Sequence, residues 1–89
     1  MKLNPDFILQ EMEAGVSVLV PTGEATKTYK GIIRLNETAS FIVSVLKNDV
    51  TENEIIEAID KEYEGTKEQF AESVRRTVNS LREAGALLE

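Results

Sequence analysis

Cysteine, histidine and tryptophan are missing from this sequence altogether. Without a thiol or an imidazole there is no disulfide, no cysteine nucleophile and no histidine general base, and the nitrogen and sulfur donors of ordinary zinc sites are gone as well. All-oxygen metal sites survive that exclusion, but no stretch forms the Asp/Asn ladder closed by Gly and Glu that a calcium loop requires. Long apolar runs are also lacking. None approaches the roughly 18 residues of a membrane span, and the opening Met1-Lys2-Leu3-Asn4-Pro5-Asp6 has no apolar segment of the signal-peptide kind. Cations are scarce, 10 Lys and Arg against 16 Asp and Glu for a net charge of −6. Affinity for phosphate backbones comes mainly from Lys and Arg displacing counterions, so this balance argues against nucleic acid. The expectation is a cytoplasmic chain with no enzymatic turnover, no metal, no cofactor and no membrane contact, whose partner is a peptide or a protein.

What is present suits one small fold. The 89 residues, 42% hydrophobic and 29% charged, have the composition of a globular protein and the length of a single domain, 1–89. Phe7 to Glu13 and Val16 to Val20 are short runs rich in apolar and β-branched residues, and Ala14-Gly15 between them reads as a hairpin turn. Turn formers fill Pro21 to Lys27, after which Thr28 to Leu35 returns to strand composition. Three sequential antiparallel strands are predicted.

From Asn36 onward the punctuation is helical. Asn36 is an N-cap for a helix through about Lys47, with Glu37 in the first turn, where the helix dipole favours a negative charge, and Phe41, Ile42, Val45 and Leu46 as its apolar face. Thr51-Glu52-Asn53-Glu54 fits a capping box and opens a second helix, in which Ile55, Ile56, Ile59 and Tyr63 follow the helical period as far as Gly65. Thr66-Lys67-Glu68-Gln69 is a second capping box. It opens the longest helix, with Phe70, Val74, Thr77, Val78 and Leu81 at three- and four-residue steps and Gly85 as its stop, and Ala86-Leu87-Leu88 then folds back as an apolar tail.

The run Gly31-Ile32-Ile33-Arg34-Leu35-Asn36-Glu37-Thr38-Ala39, followed by Phe41-Ile42 and Leu46, resembles the signature of the PqqD family: a strand ending in Leu-Asn, a helix start of small residues, and a helix of bulky apolar ones. Thr51 to Tyr63 resembles the family's Thr-x-x-Glu-Ile helix that ends near a Tyr, and Val74, Leu81 and Gly85-Ala86-Leu87-Leu88 resemble its closing Leu-x-x-x-Gly-x-Leu pattern. The likeness runs from about Val16 to Leu88. Ile42 or Val43 stands where the family often carries a Trp, so the resemblance supports the broad class of precursor-peptide recognition elements and not the pyrroloquinoline quinone pathway in particular. It implies an α+β fold, a three-stranded antiparallel sheet followed by three helices in a winged helix-turn-helix-like arrangement. It also implies a non-catalytic role: holding the leader segment of a ribosomally made, post-translationally modified precursor peptide for a modifying enzyme such as a radical SAM protein or a peptidase.

In that family the leader adds as a further strand along the edge of the third strand, beside the third helix. Carried onto this sequence, the strand side of the site is Tyr29, Lys30, Gly31, Ile32, Ile33 and Arg34. Adjacent strand residues face opposite ways, so only one of Ile32 and Ile33 can face the helices. On the third helix, a turn of about 100° per residue groups Ala71, Arg75, Val78 and Arg82 on one flank of the core stripe Phe70, Val74 and Leu81. Two guanidinium groups beside an apolar strip suit a leader with an apolar residue and a carboxylate. The competing reading leaves Arg75 and Arg82 solvated or pairs them with Glu72 and Glu83. Two other functions stay open: a winged-helix DNA-binding module using Arg75, Arg76, Thr77, Asn79 and Arg82, and a dimerisation or scaffold domain that forms a homodimer through the exposed strand edge.

Overall fold

The computed structural model describes residues 1–13 and 15–89. The elements run β1 (Lys2–Leu3), β2 (Phe7–Glu11), β3 (Ser17–Pro21), α1 (Ala25–Thr28), β4 (Ile33–Leu35), α2 (Glu37–Val45), α3 (Glu52–Glu62), α4 (Lys67–Glu83) and β5 (Leu87–Leu88). Strands β2, β3 and β4 form an antiparallel sheet in that order, so the fold is α+β, with the sheet preceding the three main helices.

The hairpin runs in the register Phe7↔Pro21 to Glu11↔Ser17, closed by the Met12 N–H donating to the Val16 carbonyl and the Val16 N–H to that of Glu13. Gly15 takes φ +79°, a left-handed value that suits glycine. Ala14, the other residue of the predicted turn, lies outside the described residues.

The third strand is shorter than its composition suggests. Thr28 to Ile32 are not strand; Ala25–Thr28 forms one helical turn instead, and β4 begins at Ile33. Local bonds decide this: the Thr26 hydroxyl donates to the Gly23 carbonyl at 2.7 Å, and the Tyr29 N–H donates to that of Ala25 at 2.9 Å. Burial of Ala25 and the edge-on packing of Tyr29 against Phe7, 6.3 Å between ring centroids, tie this turn to the core.

The helix starts follow the sequence closely. The Asn36 side chain accepts from the Ala39 N–H at 2.8 Å, and both capping boxes form, Thr51 with Glu54 and Thr66 with Gln69. Facing the helices, Phe7, Leu19 and Leu35 join Ile42, Val43, Leu46, Ile55, Ile59, Val74, Val78 and Leu81 in one buried cluster. Val43 belongs to that centre, whereas Phe41 and Val45 of the predicted apolar face pack at its margin. The apolar tail gains a partner: β5 pairs with β1, Lys2↔Leu88 and Leu3↔Leu87, and the Asn4 N–H donates to the Ala86 carbonyl at 2.8 Å.

Candidate functional site

Strand β4 is an edge strand. Its inner side pairs with β3, Ser17↔Leu35, Val18↔Arg34 and Leu19↔Ile33, and among the described residues no strand pairs with its outer side. Such an edge presents unpaired backbone donors and acceptors, a template for another extended chain. Of the six predicted strand residues only Ile33 and Arg34 lie in β4. Ile33 packs against the core, Arg34 is exposed, and Ile32 just before the strand is half exposed. Tyr29 is turned inward onto Phe7, and the Lys30 ammonium donates to the Thr26 carbonyl at 3.1 Å. Gly31, at φ +98°, has open space where a side chain would project.

On α4 the predicted flank divides. Val78 is fully buried, so it belongs to the core stripe and not to an accessible flank. The reason is angular: with Phe70 at zero and about 100° per residue, Leu81, Val74 and Val78 fall at about 20°, 40° and 80°, whereas Ala71, Arg82 and Arg75 fall at about 100°, 120° and 140°. Ala71 is half-buried at the boundary, and Arg75 and Arg82 are exposed.

The two arginines differ in their neighbours. Arg82 is gripped by Glu89, and its remaining nitrogen donates to the Asn79 side-chain carbonyl at 3.0 Å. Hydrogen bonding to Glu89, then its charge, raises the Arg82 pKa and reciprocally lowers that of Glu89. Glu72 pairs with Arg76 at 3.0 Å, not with Arg75, which makes no ion pair among the described residues. Neither arginine pairs with Glu72 or Glu83, and Arg75 fits the solvated alternative instead. Two of the three guanidinium groups on α4 are engaged by carboxylates, which leaves Arg75 as the helix's available cation.

Two hollows lie elsewhere. One of about 360 Å³ opens between the hairpin and α2, with Leu9, Met12, Val16, Phe41 and Tyr63 as its apolar lining and Glu11, Glu13 and Glu37 at its rim. Phe41 and Tyr63 meet edge-on there, 5.4 Å between centroids, and the Ser40 hydroxyl has no hydrogen-bond partner. The other, about 450 Å³, lies between α2 and α3 among Glu54, Glu57, Lys61 and Glu62. None of the ten predicted site residues lines either hollow. Among the described residues no group of three or more acids is placed to hold a metal ion, and no helix is long and apolar enough to cross a membrane.

A solved structure described as TbiB1 in complex with the TbiA(beta) leader peptide shares this fold, with a TM-score of 0.78 at 21% identity over 98% of this chain and 94% of that one. No match was found among the curated proteins. The sequence profile of coenzyme PQQ synthesis protein D matches residues 15–87, a span holding β3, β4 and all three long helices, and the chain belongs to this PqqD family.

Proposed function

We propose that the chain binds the leader segment of a ribosomally made precursor peptide and presents it to a modifying enzyme, a radical SAM protein or a protease-like one, without catalysing a reaction itself. The observation that carries this reading is the free outer edge of β4, in a fold shared nearly end to end with a protein solved in complex with a leader peptide. The leader adds as a fourth strand beside β4, with its side chains directed toward Ala71 and Arg75 of α4.

Energetics set what that leader must look like. A three-residue strand offers about three main-chain hydrogen bonds, at about 0.5 to 1.5 kcal/mol each, while ordering a disordered segment costs about 2 to 5 kcal/mol or more. Backbone pairing alone therefore fails to hold it. Two or three buried apolar leader side chains at about 1.5 to 3 kcal/mol each bring the sum toward the roughly 8 kcal/mol of micromolar binding. An acidic leader residue paired with Arg75 adds selectivity.

Calorimetric titration with the leader of a precursor peptide encoded beside this chain tests the reading. Saturable micromolar binding, with amide shifts concentrated on Ile32 to Leu35 and α4, is the expected result. No binding, or shifts confined to the hollow between the hairpin and α2, overturns it.

A further inference from the structure

The helices cover one face of the three-stranded sheet, and the other is open. Alternation along the strands puts Ile8 and Gln10 of β2, Val18 and Val20 of β3 and Arg34 of β4 on the open face, and Ile32 continues that parity just ahead of β4. Across the ladder Ile8 lies opposite Val20, and Val18, only 7% exposed, lies opposite both Gln10 and Arg34. Of the five large apolar side chains most exposed among the described residues, two belong to this face, Ile8 at 53% and Ile32 at 50%, while Met12 and Val16 line the hollow beside α2. Single exposed apolar residues are ordinary, but a contiguous face of them marks a contact surface.

The charge pattern identifies what fits. In a chain with 16 acids and a net charge of −6, the open-face strand positions hold no acid at all, and their one ionic group is Arg34. Acids stand outside those positions: Asp6, partly exposed, just ahead of β2, and Glu11 and Glu13 at the hairpin end, where they turn toward the hollow beside α2. A second copy of this chain is a poor occupant, because the strands of its open face carry no carboxylate to meet Arg34 and both copies are strongly negative.

We propose that the open sheet face docks a partner protein through an apolar surface bearing a carboxylate opposite Arg34, and that this partner is the modifying enzyme. The enzyme's identity, though not the surface, rests on the leader-binding reading above. A leader strand added to β4 extends the same face, so a partner seated there touches domain and leader together. Association then reports whether the domain is loaded.

The test measures association of the full chain with the purified modifying enzyme encoded beside it, with and without leader. Ile8→Glu and Gln10→Glu lie on β2, the strand farthest from β4, and add negative charge to the face. Both are expected to weaken association with the enzyme at least tenfold while leader titration is unchanged, whereas Gln10→Lys keeps or tightens it. Exposed Gln10 keeps the test valid should Ile8→Glu disturb folding. Unchanged association in folded variants, no association of the wild type, or a wild-type dimer that Ile8→Glu separates would each overturn the proposal. So would loss of leader affinity in a folded Ile8→Glu variant, since the face would then hold the leader itself. The leader-free arm decides about the face even where the wild type binds no leader.

Discussion

The Glu89 carboxylate grips the Arg82 guanidinium through two parallel hydrogen bonds of 2.9 Å, from Nε to Oε2 and from Nη2 to Oε1. Fork-to-fork pairing of this kind is also how an arginine reads a carboxylate on a bound peptide, so a peptide carboxylate reaching Arg82 would have to displace Glu89.

The pair has a pH signature. Hydrogen bonding to Arg82 lowers the pKa of Glu89 in the folded chain, so what the pair contributes is fully present above the ordinary glutamate range and is lost as pH falls through the lowered value. Both side chains are about half exposed, and the effect on stability is accordingly small. Carboxyl-carbon NMR titration should give Glu89 a midpoint below the usual glutamate range, and Arg82→Gln should return it toward that range. Equal midpoints in the two proteins would refute the pairing in solution.

Gly65 supports a packing prediction. It adopts φ +151°, and a Cβ added there would stand 3.0 Å from two Phe70 ring atoms, tighter than most such contacts. Phe70 is buried and cannot swing aside freely. Gly65→Ala is expected to cost about 1 to 3 kcal/mol through backbone strain and overpacking, read as a lowered denaturant midpoint. An unchanged midpoint would mean that the α3–α4 connection relaxes without cost.

What was legible in the sequence was local. Thr51 with Glu54 and Thr66 with Gln69 announce helix starts because capping is settled within four residues, and the helices begin where those boxes stand. The β1–β5 pair joins Leu3 to Leu87 across nearly the whole chain, a contact for which no local pattern exists. Thr28 to Ile32 have strand composition, yet the helical turn Ala25–Thr28, closed by its own hydrogen bonds and tied to the core through Ala25 and Tyr29, delays the strand to Ile33. The apolar triplet Phe7-Ile8-Leu9 hides which face is which. Only the register shows that Ile8 is turned away from the helices. The candidate site rests on family resemblance alone, and only the structure separates Val78 in the core from Arg75 at the surface.

Val78 tests that division. It is fully buried within the stripe of Phe70, Val74 and Leu81, so Val78→Ala removes packed core volume. A loss of about 1 to 3 kcal/mol in chemical denaturation is expected, with leader affinity unchanged in conditions where the variant remains folded. A variant of wild-type stability that binds leader poorly would return Val78 to the binding surface.

Arg75 and Arg82 should part company in binding. They sit on the same flank of α4, about 20° apart by helical geometry, so the direction they face does not distinguish them. Their neighbours do: Arg82 is held by Glu89 and Asn79, and Arg75 makes no ion pair among the described residues. A leader carboxylate can approach Arg75 directly but must displace Glu89 to reach Arg82. Arg75→Glu should therefore weaken an acidic leader by tenfold or more and leave a leader with that acid replaced by glutamine nearly unaffected. Stability should move by less than about 0.5 kcal/mol, as exposed helix positions usually allow. Glu89→Gln weakens the grip on Arg82, so it should tighten the acidic leader in the wild-type background and partly restore binding to Arg75→Glu. Titrating the two leaders against the single variants Arg75→Glu, Arg82→Glu and Glu89→Gln and the Arg75→Glu/Glu89→Gln double settles the assignment: if Arg82→Glu alone abolishes acidic-leader binding, the leader reaches the C-terminal end of α4 and displaces Glu89 there.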